Sequence, residues 1–166
     1  MKQAETFEKD SLTYTFETSG GHARVVLAGA IDENADLTGL FQRVVSDTVM
    51  NVRDVERVNS MGVHGWVPLI NKVSAQHRLT IEELSYALVQ SANSVANMFG
   101  SAVLRSCIAP YFCSHCKQNA NVVVTAEDVA TARDSVPTKH CARCNGVLEF
   151  DELDNYFTFF KARTRK

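Results

Sequence analysis

The chain has 166 residues, of which 45% are hydrophobic and 22% charged, with a formal net charge of -2 and a pI of about 6.2. This composition is that of a globular protein with one core, or a core with a small satellite, and it excludes extensive disorder. The slightly acidic balance argues against a surface built mainly to bind nucleic acid.

The first elements in chain order are two strands. Residues 12–16 alternate apolar and polar side chains, residues 23–28 form a second strand-like run, and the turn Ser19-Gly20-Gly21 between them predicts a hairpin. The acidic residues of segment 32–36 are typical of a helix start. This helix is predicted to bury residues spaced three and four apart: Leu37, Leu40, Phe41, Val44 and Val45.

Strands and helices then alternate. Residues 48–58, which are rich in valine, predict a strand, and residues 61–76 predict a helix. A short strand over 79–81 and a third helix over 84–99 follow, with Gly100 as its C-cap. This order predicts an α/β fold in which a mixed sheet is flanked by helices.

The composition changes near residue 103. Four apolar segments are strand-like, with a polar stretch over 126–135 among them: 103–112, 121–125, 147–150 and 156–160. We therefore predict two domains, a sheet-and-helix domain over residues 1–103 and a small all-β domain over residues 104–166.

Four cysteines form two matched pairs in the second domain, Cys113 with Cys116 and Cys141 with Cys144. A two-residue gap lets two thiolates on one turn converge on one ion. Two such turns supply the tetrahedral all-sulfur shell that zinc prefers. The sequence therefore predicts a zinc ribbon with one structural Zn²⁺ and no open position for metal catalysis.

A redox site and ligation by histidine are the alternative interpretations of this cysteine-rich region. A redox site normally uses one C-x-x-C pair within a strand-helix unit, so two matched pairs argue against it. His115 and His140 flank the cysteines and are the alternative ligands. Cys107 belongs to no pair and is expected to be a buried small hydrophobic residue.

A family resemblance appears where the strand at 48–58 meets the next helix. The junction there reads Asn59, Ser60, Met61 and Gly62. With the preceding hairpin and helix, it resembles the STAS domain of bacterial anti-sigma-factor antagonists, whose motif is Asp-Ser-Ser/Thr-Gly-Leu, over roughly residues 10–105. The resemblance implies a STAS-like fold for the first domain and a partner-docking surface at these four residues.

Two motif positions differ from the family. Its second hydroxyl residue accepts a regulatory phosphate at a helix N-terminus, where a dianion is well placed. Met61 occupies that position here, and Asn59 stands where the family has Asp. The resemblance therefore implies a degenerate phosphorylation switch, in which we expect Ser60 to cap the helix rather than to be phosphorylated.

The functional expectation is a non-enzymatic module that binds another signalling protein in the bacterial cytoplasm. A kinase or an anti-sigma-type regulator is the kind of partner that the resemblance implies, and a homodimer is left open. Ser60, His64 and Asp54 have the wrong spacing for a catalytic triad. No segment is predicted to span a membrane, and in a reducing compartment the five cysteines favour metal over disulfides.

The main alternative is a nucleic-acid-associated transcription factor that uses the ribbon and the basic tail over 161–166. From Tyr111 onward, eight Lys or Arg residues against seven Asp or Glu residues leave this region near neutral, which weakens the alternative. The tail is equally well explained as a solvated chain end. An enzyme with an unfamiliar site is the third interpretation.

Overall fold

The computed structural model describes residues 3–133 and 135–161. Its larger sheet has six strands, and their order in space follows their order in the chain. They are β1 (Gln3–Lys9), β2 (Leu12–Ser19), β3 (His22–Ile31), β4 (Thr48–Val58), β5 (Leu79–Glu82) and β6 (Val103–Leu104). Neighbours among the first three strands are antiparallel, whereas β3 to β6 are parallel, so the predicted mixed sheet is confirmed.

Three helices connect the parallel strands: α1 (Leu37–Gln42), α2 (Ser60–Gln76) and α3 (Tyr86–Ser94). Each begins after a polar residue whose side chain accepts a hydrogen bond from an amide of the first turn. These caps are Asp36, Asn59 and Ser85. Among the described residues, no helix has both the length and the apolar character needed to cross a membrane.

The core lies against one face of the sheet. Tyr14 is opposite Leu27 in the register of β2 and β3, Phe16 is opposite Val25, and all four side chains are buried. The residues between them along the two strands are more exposed, as expected where side chains alternate between two faces. Trp66 on α2 belongs to the same buried cluster.

Two helices end earlier than the apolar spacing predicts. α1 stops at Gln42, and the prediction that Val45 lies on its inner face is wrong, because this side chain is 73% exposed. The predicted helix over 84–99 spans only Tyr86–Ser94, since Val95 is extended and Asn97 has a left-handed φ of 57°.

The second sheet has three antiparallel strands in the order β8, β7, β9. Its elements are β7 (Ser106–Cys113), β8 (Gln118–Thr125), α4 (Ala126–Ala132), β9 (Glu149–Phe150), a 3-10 helix (Asp154–Phe157) and α5 (Thr158–Lys161). The prediction of an all-β unit is therefore wrong. Thr125 and Asp128 form a capping box that starts a helix within the polar stretch, and the last apolar segment is helical.

The two sheets are joined through Leu84 and the start of β7. The Leu84 amide donates to the Ser106 carbonyl at 3.0 Å, and the Ile108 amide donates to the Leu84 carbonyl at 2.8 Å. One hydrophobic cluster includes buried side chains from both sheets. Arg105 therefore lies between the last strand of the first sheet and the first strand of the second sheet. That residues 1–103 and 104–166 fold independently stays a prediction.

Candidate metal centre

The sulfur atoms of Cys113, Cys116, Cys141 and Cys144 all lie within 4.8 Å of one another. Sγ of Cys113 is 3.6 Å from Sγ of Cys144, and Sγ of Cys116 is 4.0 Å from Sγ of Cys141. A regular tetrahedron with metal–sulfur bonds of about 2.3 Å has edges of about 3.8 Å. None of the four is in a disulfide. The cysteines are therefore positioned to hold one metal ion.

Two similar turns present these cysteines. In each turn the residue after the second cysteine is left-handed, with φ of 55° at Lys117 and 58° at Asn145. The second turn is closed by the Cys141 amide, which donates to the Gly146 carbonyl at 2.8 Å. A Cβ at Gly146 would lie 3.3 Å from Sγ of Cys144, so the turn is tight at this point.

Backbone amides favour the charged form of part of the cluster. The amides of Cys144 and Arg143 donate to Cys141 and lower the pKa of its thiol to about 6. A hydrogen bond shared with Cys144 and partial burial raise the pKa of Cys116 to about 12. Four thiolates this close repel one another, so their joint ionisation requires a cation between them.

The neighbouring titratable residues take no part in the cluster. His115 and His140 are exposed, and neither belongs to the group of ligand atoms. Nδ1 of His140 lies 3.2 Å from the Asn145 carbonyl oxygen. Cys107 is fully buried, and burial raises its pKa to about 12, which confirms that it is a buried hydrophobic residue.

The four motif residues lie together at the carboxyl end of β4 and the start of α2. Asn59 caps the helix by accepting a hydrogen bond from the Gly62 amide at 2.8 Å, and its side chain donates to Glu33 at 2.7 Å. The expectation that Ser60 is the cap is therefore wrong, because Ser60 is already the first helical residue. Ser60 and Met61 are exposed.

A buried carboxylate behind this turn was not singled out from the sequence as a site residue. Asp32 is 5% exposed and accepts hydrogen bonds from the Ser11 hydroxyl, the Asn34 amide at 3.0 Å and Arg57 at 3.1 Å. The Ser11 bond, with those from Asn34 and Arg57, holds its pKa below the usual value despite burial. An acidic residue directly after a parallel strand is the sequence signal for this carboxylate, but acidic residues in this segment are equally typical of a helix start.

Neither the single tryptophan nor the potential triad forms a site. Trp66 is fully buried, and its Nε1 donates to the Met98 carbonyl at 3.1 Å, so it packs in the core. Asp54, Ser60 and His64 are exposed and make no hydrogen bond to one another, so these three described residues form no triad.

Comparisons with known proteins do not assign the chain to a family. No protein-family model matches it, and no curated protein matches its sequence. The STAS-like resemblance therefore stays a prediction.

Proposed function

We propose that this protein is a non-catalytic regulatory module that binds another bacterial signalling protein through the start of α2. The proposed docking surface consists of Asn59, Ser60, Met61 and Gly62 together with Glu33, which is hydrogen-bonded to Asn59, and we call it the helix-start surface. The observation that carries the proposal is Met61, which is 59% exposed on the first turn of a helix with a fixed cap.

The surroundings of Met61 support a rigid docking surface. Asn59 links the helix to Glu33 and to the Gly62 amide, and buried Asp32 holds Arg57 at the end of β4. An exposed methionine is a flexible apolar side chain of the kind over-used at protein-binding surfaces. A kinase or an anti-sigma-type regulator is the partner class that the STAS-like resemblance suggests.

The phosphorylation state of Ser60 distinguishes a working phosphorylation switch from a degenerate one. Ser60 is exposed at the first position of α2, where a phosphate would be electrostatically favoured. We propose that the switch is degenerate because Met61 replaces the family's acceptor hydroxyl. Incubation with candidate kinases followed by mass measurement tests this, and stoichiometric phosphate on Ser60 would overturn it.

We further propose that the cysteine cluster holds a structural Zn²⁺ as part of a zinc ribbon. An all-thiolate tetrahedral site suits zinc or iron, and a closed shell of four protein ligands is typical of a structural zinc. Elemental analysis of protein purified without added metal should find one zinc per chain. One iron per chain would contradict the assignment.

A crosslinking experiment tests the helix-start surface directly. A photoreactive amino acid at position 61 should capture the same protein reproducibly in native cells. The matched control is position 45, because Val45 is also apolar and is 73% exposed outside the surface. Equal capture from both positions would contradict the proposal.

The nucleic-acid alternative has less support. Its basic tail lies outside the described residues, apart from the backbone of Lys161. Over 111–133 and 135–160, four Lys or Arg residues stand against six Asp or Glu residues. A filter-binding assay at low and high salt tests the alternative, since affinity that falls steeply with salt would favour it.

A further inference from the structure

A groove of about 380 Å³ runs between β4 and the second sheet. One wall is formed by the consecutive residues 53–56 of β4, and the opposite wall includes Ile108 and Pro110 of β7. Tyr86, at the start of α3, forms part of its floor. We call this feature the seam groove.

The β4 wall of the groove is an unpaired strand edge. β4 has 11 residues, but β5 pairs only with residues 48–51. Glu83 then takes a left-handed φ of 54°, and Leu84 pairs with Cys107 instead of continuing along β4. β3 pairs with the other edge of β4 as far as Val58.

The β4 wall of the groove is irregular. The register of β4 with β3 shifts between Asn51 and Asp54 and again between Val55 and Arg57, so β4 is bulged where it lines the groove. The Arg53 amide is satisfied by the Asn51 side chain at 3.1 Å. Among the described residues, no strand pairs with residues 54–57 on the side of β4 away from β3.

The opposite wall is suited to apolar side chains. Ile108 and Pro110 are two residues apart on β7 and therefore share a face. Tyr86 is 48% exposed and is held in place by a hydrogen bond to Glu152 at 2.6 Å and by stacking on Tyr156. These three residues therefore give the groove an apolar part beside the strand edge.

The charges at the rim favour a basic occupant. Arg53 is neutralised by Glu83 at 2.8 Å. Asp54 and Glu56 are exposed and form no ion pair among the described residues. Two unpaired carboxylates beside a free strand edge attract lysine or arginine side chains.

We propose that the seam groove binds an extended peptide segment of a partner protein, which adds a strand to the free edge of β4. The segment carries lysine or arginine residues that alternate with apolar residues. Main-chain hydrogen bonds would supply affinity and the alternate side-chain contacts would supply specificity, as in other strand-addition complexes. The groove is separate from the helix-start surface and does not depend on the partner proposed for that surface.

The experiment uses the full, metal-loaded chain and a short synthetic peptide of alternating lysine and valine, labelled for fluorescence anisotropy. We expect saturable binding that protects from hydrogen exchange those amides of residues 54–57 that are not already bonded to β3. The double variant Asp54→Lys/Glu56→Lys should weaken binding by about tenfold or more. The control Glu8→Lys/Glu127→Lys, which changes two exposed carboxylates elsewhere, should leave binding close to that of the wild type.

Changes in the peptide provide a test that does not depend on folding of the variants. Replacing lysine by glutamate, or methylating the peptide amides that would bond to β4, should abolish binding. Absence of saturable binding, equal binding by the methylated peptide, or an equal loss in the control variant would overturn the proposal. Stronger binding after deletion of residues 162–166 would identify the chain's own tail as the occupant and would also overturn it.

The helix-start surface is tested separately with Met61→Asp. This variant should lose its crosslinked protein and still bind the lysine–valine peptide. Loss of peptide binding in Met61→Asp would show that the two surfaces are not separate and would overturn the seam-groove assignment.

Discussion

Gly62 lies where α2 packs directly against the backbone at the end of β3. A Cβ at this position would lie 2.0 Å from the carbonyl oxygen of Ile31 and 2.8 Å from the Asp32 amide nitrogen. Both contacts are with backbone atoms, which a rotamer change cannot relieve. The glycine is therefore needed for packing, which gives one physical reason for its place in the Asn-Ser-Met-Gly sequence.

Substitution of Gly62 tests this packing. We expect Gly62→Ala to lower the free energy of unfolding by about 2 kcal/mol or more, since α2 must move away from the sheet. Gly65→Ala is the matched control, because its Cβ would meet only the flexible Leu37 side chain at 3.2 Å. Urea denaturation measures both, and equal effects would contradict the close approach at Gly62.

The lowered pKa of Asp32 predicts that the stability of the fold depends on pH. Its pKa is lowered in the folded state, chiefly by the Ser11 hydroxyl, so it stabilises the fold above the unfolded pKa of about 3.9. That stabilisation is lost as the pH falls through the folded pKa. The stability difference between wild type and Asp32→Asn should therefore shrink on acidification in denaturant titrations. A stability difference between the two proteins that stays constant from neutral pH to about pH 3 would contradict this role of Asp32.

At the scale of elements, the cap of α2 fixes where the helix-start surface begins. Asn59 has an extended backbone with φ of -115° and accepts the Gly62 amide, whereas Ser60 is helical and exposed. The sequence motif placed the cap one residue too late, because both side chains are good capping residues and only the backbone geometry separates them.

Replacing Asn59 or Ser60 by alanine shows which of the two residues caps α2. Asn59→Ala should lower the free energy of unfolding by about 1 kcal/mol, since the Gly62 amide loses its acceptor. Ser60→Ala should change it by less than about 0.5 kcal/mol. Thermal or urea unfolding of the two variants decides between them, and a larger loss in Ser60→Ala would identify Ser60 as the cap after all.

Elements with strong local patterns were predictable from the sequence. The alternation in β2 and the spacing in α2 are local signals, and the cysteine spacing follows from the geometry of a tetrahedral ion. β1 was missed because Phe7 is the only aromatic or large aliphatic residue among its seven residues, and its position depends on pairing with β2.

The errors in the second sheet have two different causes. α4 carries a local signal, the Thr125–Asp128 capping box, that was overlooked in a polar segment. The helical conformation of residues 156–160 depends on tertiary contacts, since the Asn93 side chain bonds to the Tyr156 carbonyl at 2.9 Å and the Phe159 amide at 3.1 Å. No local pattern could have revealed this anchoring to α3.

In the molecule as a whole, two features stabilise the second sheet. These are the cysteine cluster and the hydrogen bonds made by buried tyrosines of the core. Tyr156 donates to the Ile108 carbonyl at 2.7 Å, and Tyr111 donates to the Pro137 carbonyl at 2.7 Å. These bonds fix the surrounding loops, but the cysteine turns themselves converge on one point and would be tied together by the metal.

Removal of the metal should therefore destabilise the second sheet more than the first sheet. After chelation, we expect faster hydrogen exchange in β7, β8 and β9, while the amides of β2, β3 and β4 remain protected by their own helices and core. Hydrogen exchange followed by mass spectrometry measures this difference. Simultaneous loss of protection in both sheets would contradict the two-domain prediction and show one cooperative unit.

We propose that the four cysteines hold one structural zinc ion. The most direct measurement is X-ray absorption at the zinc edge of protein purified without added metal. We expect one zinc with four sulfur neighbours at about 2.3 Å and no nitrogen or oxygen ligand. A shell that includes nitrogen or oxygen, or a chain that contains no zinc and carries disulfides instead, would contradict the claim.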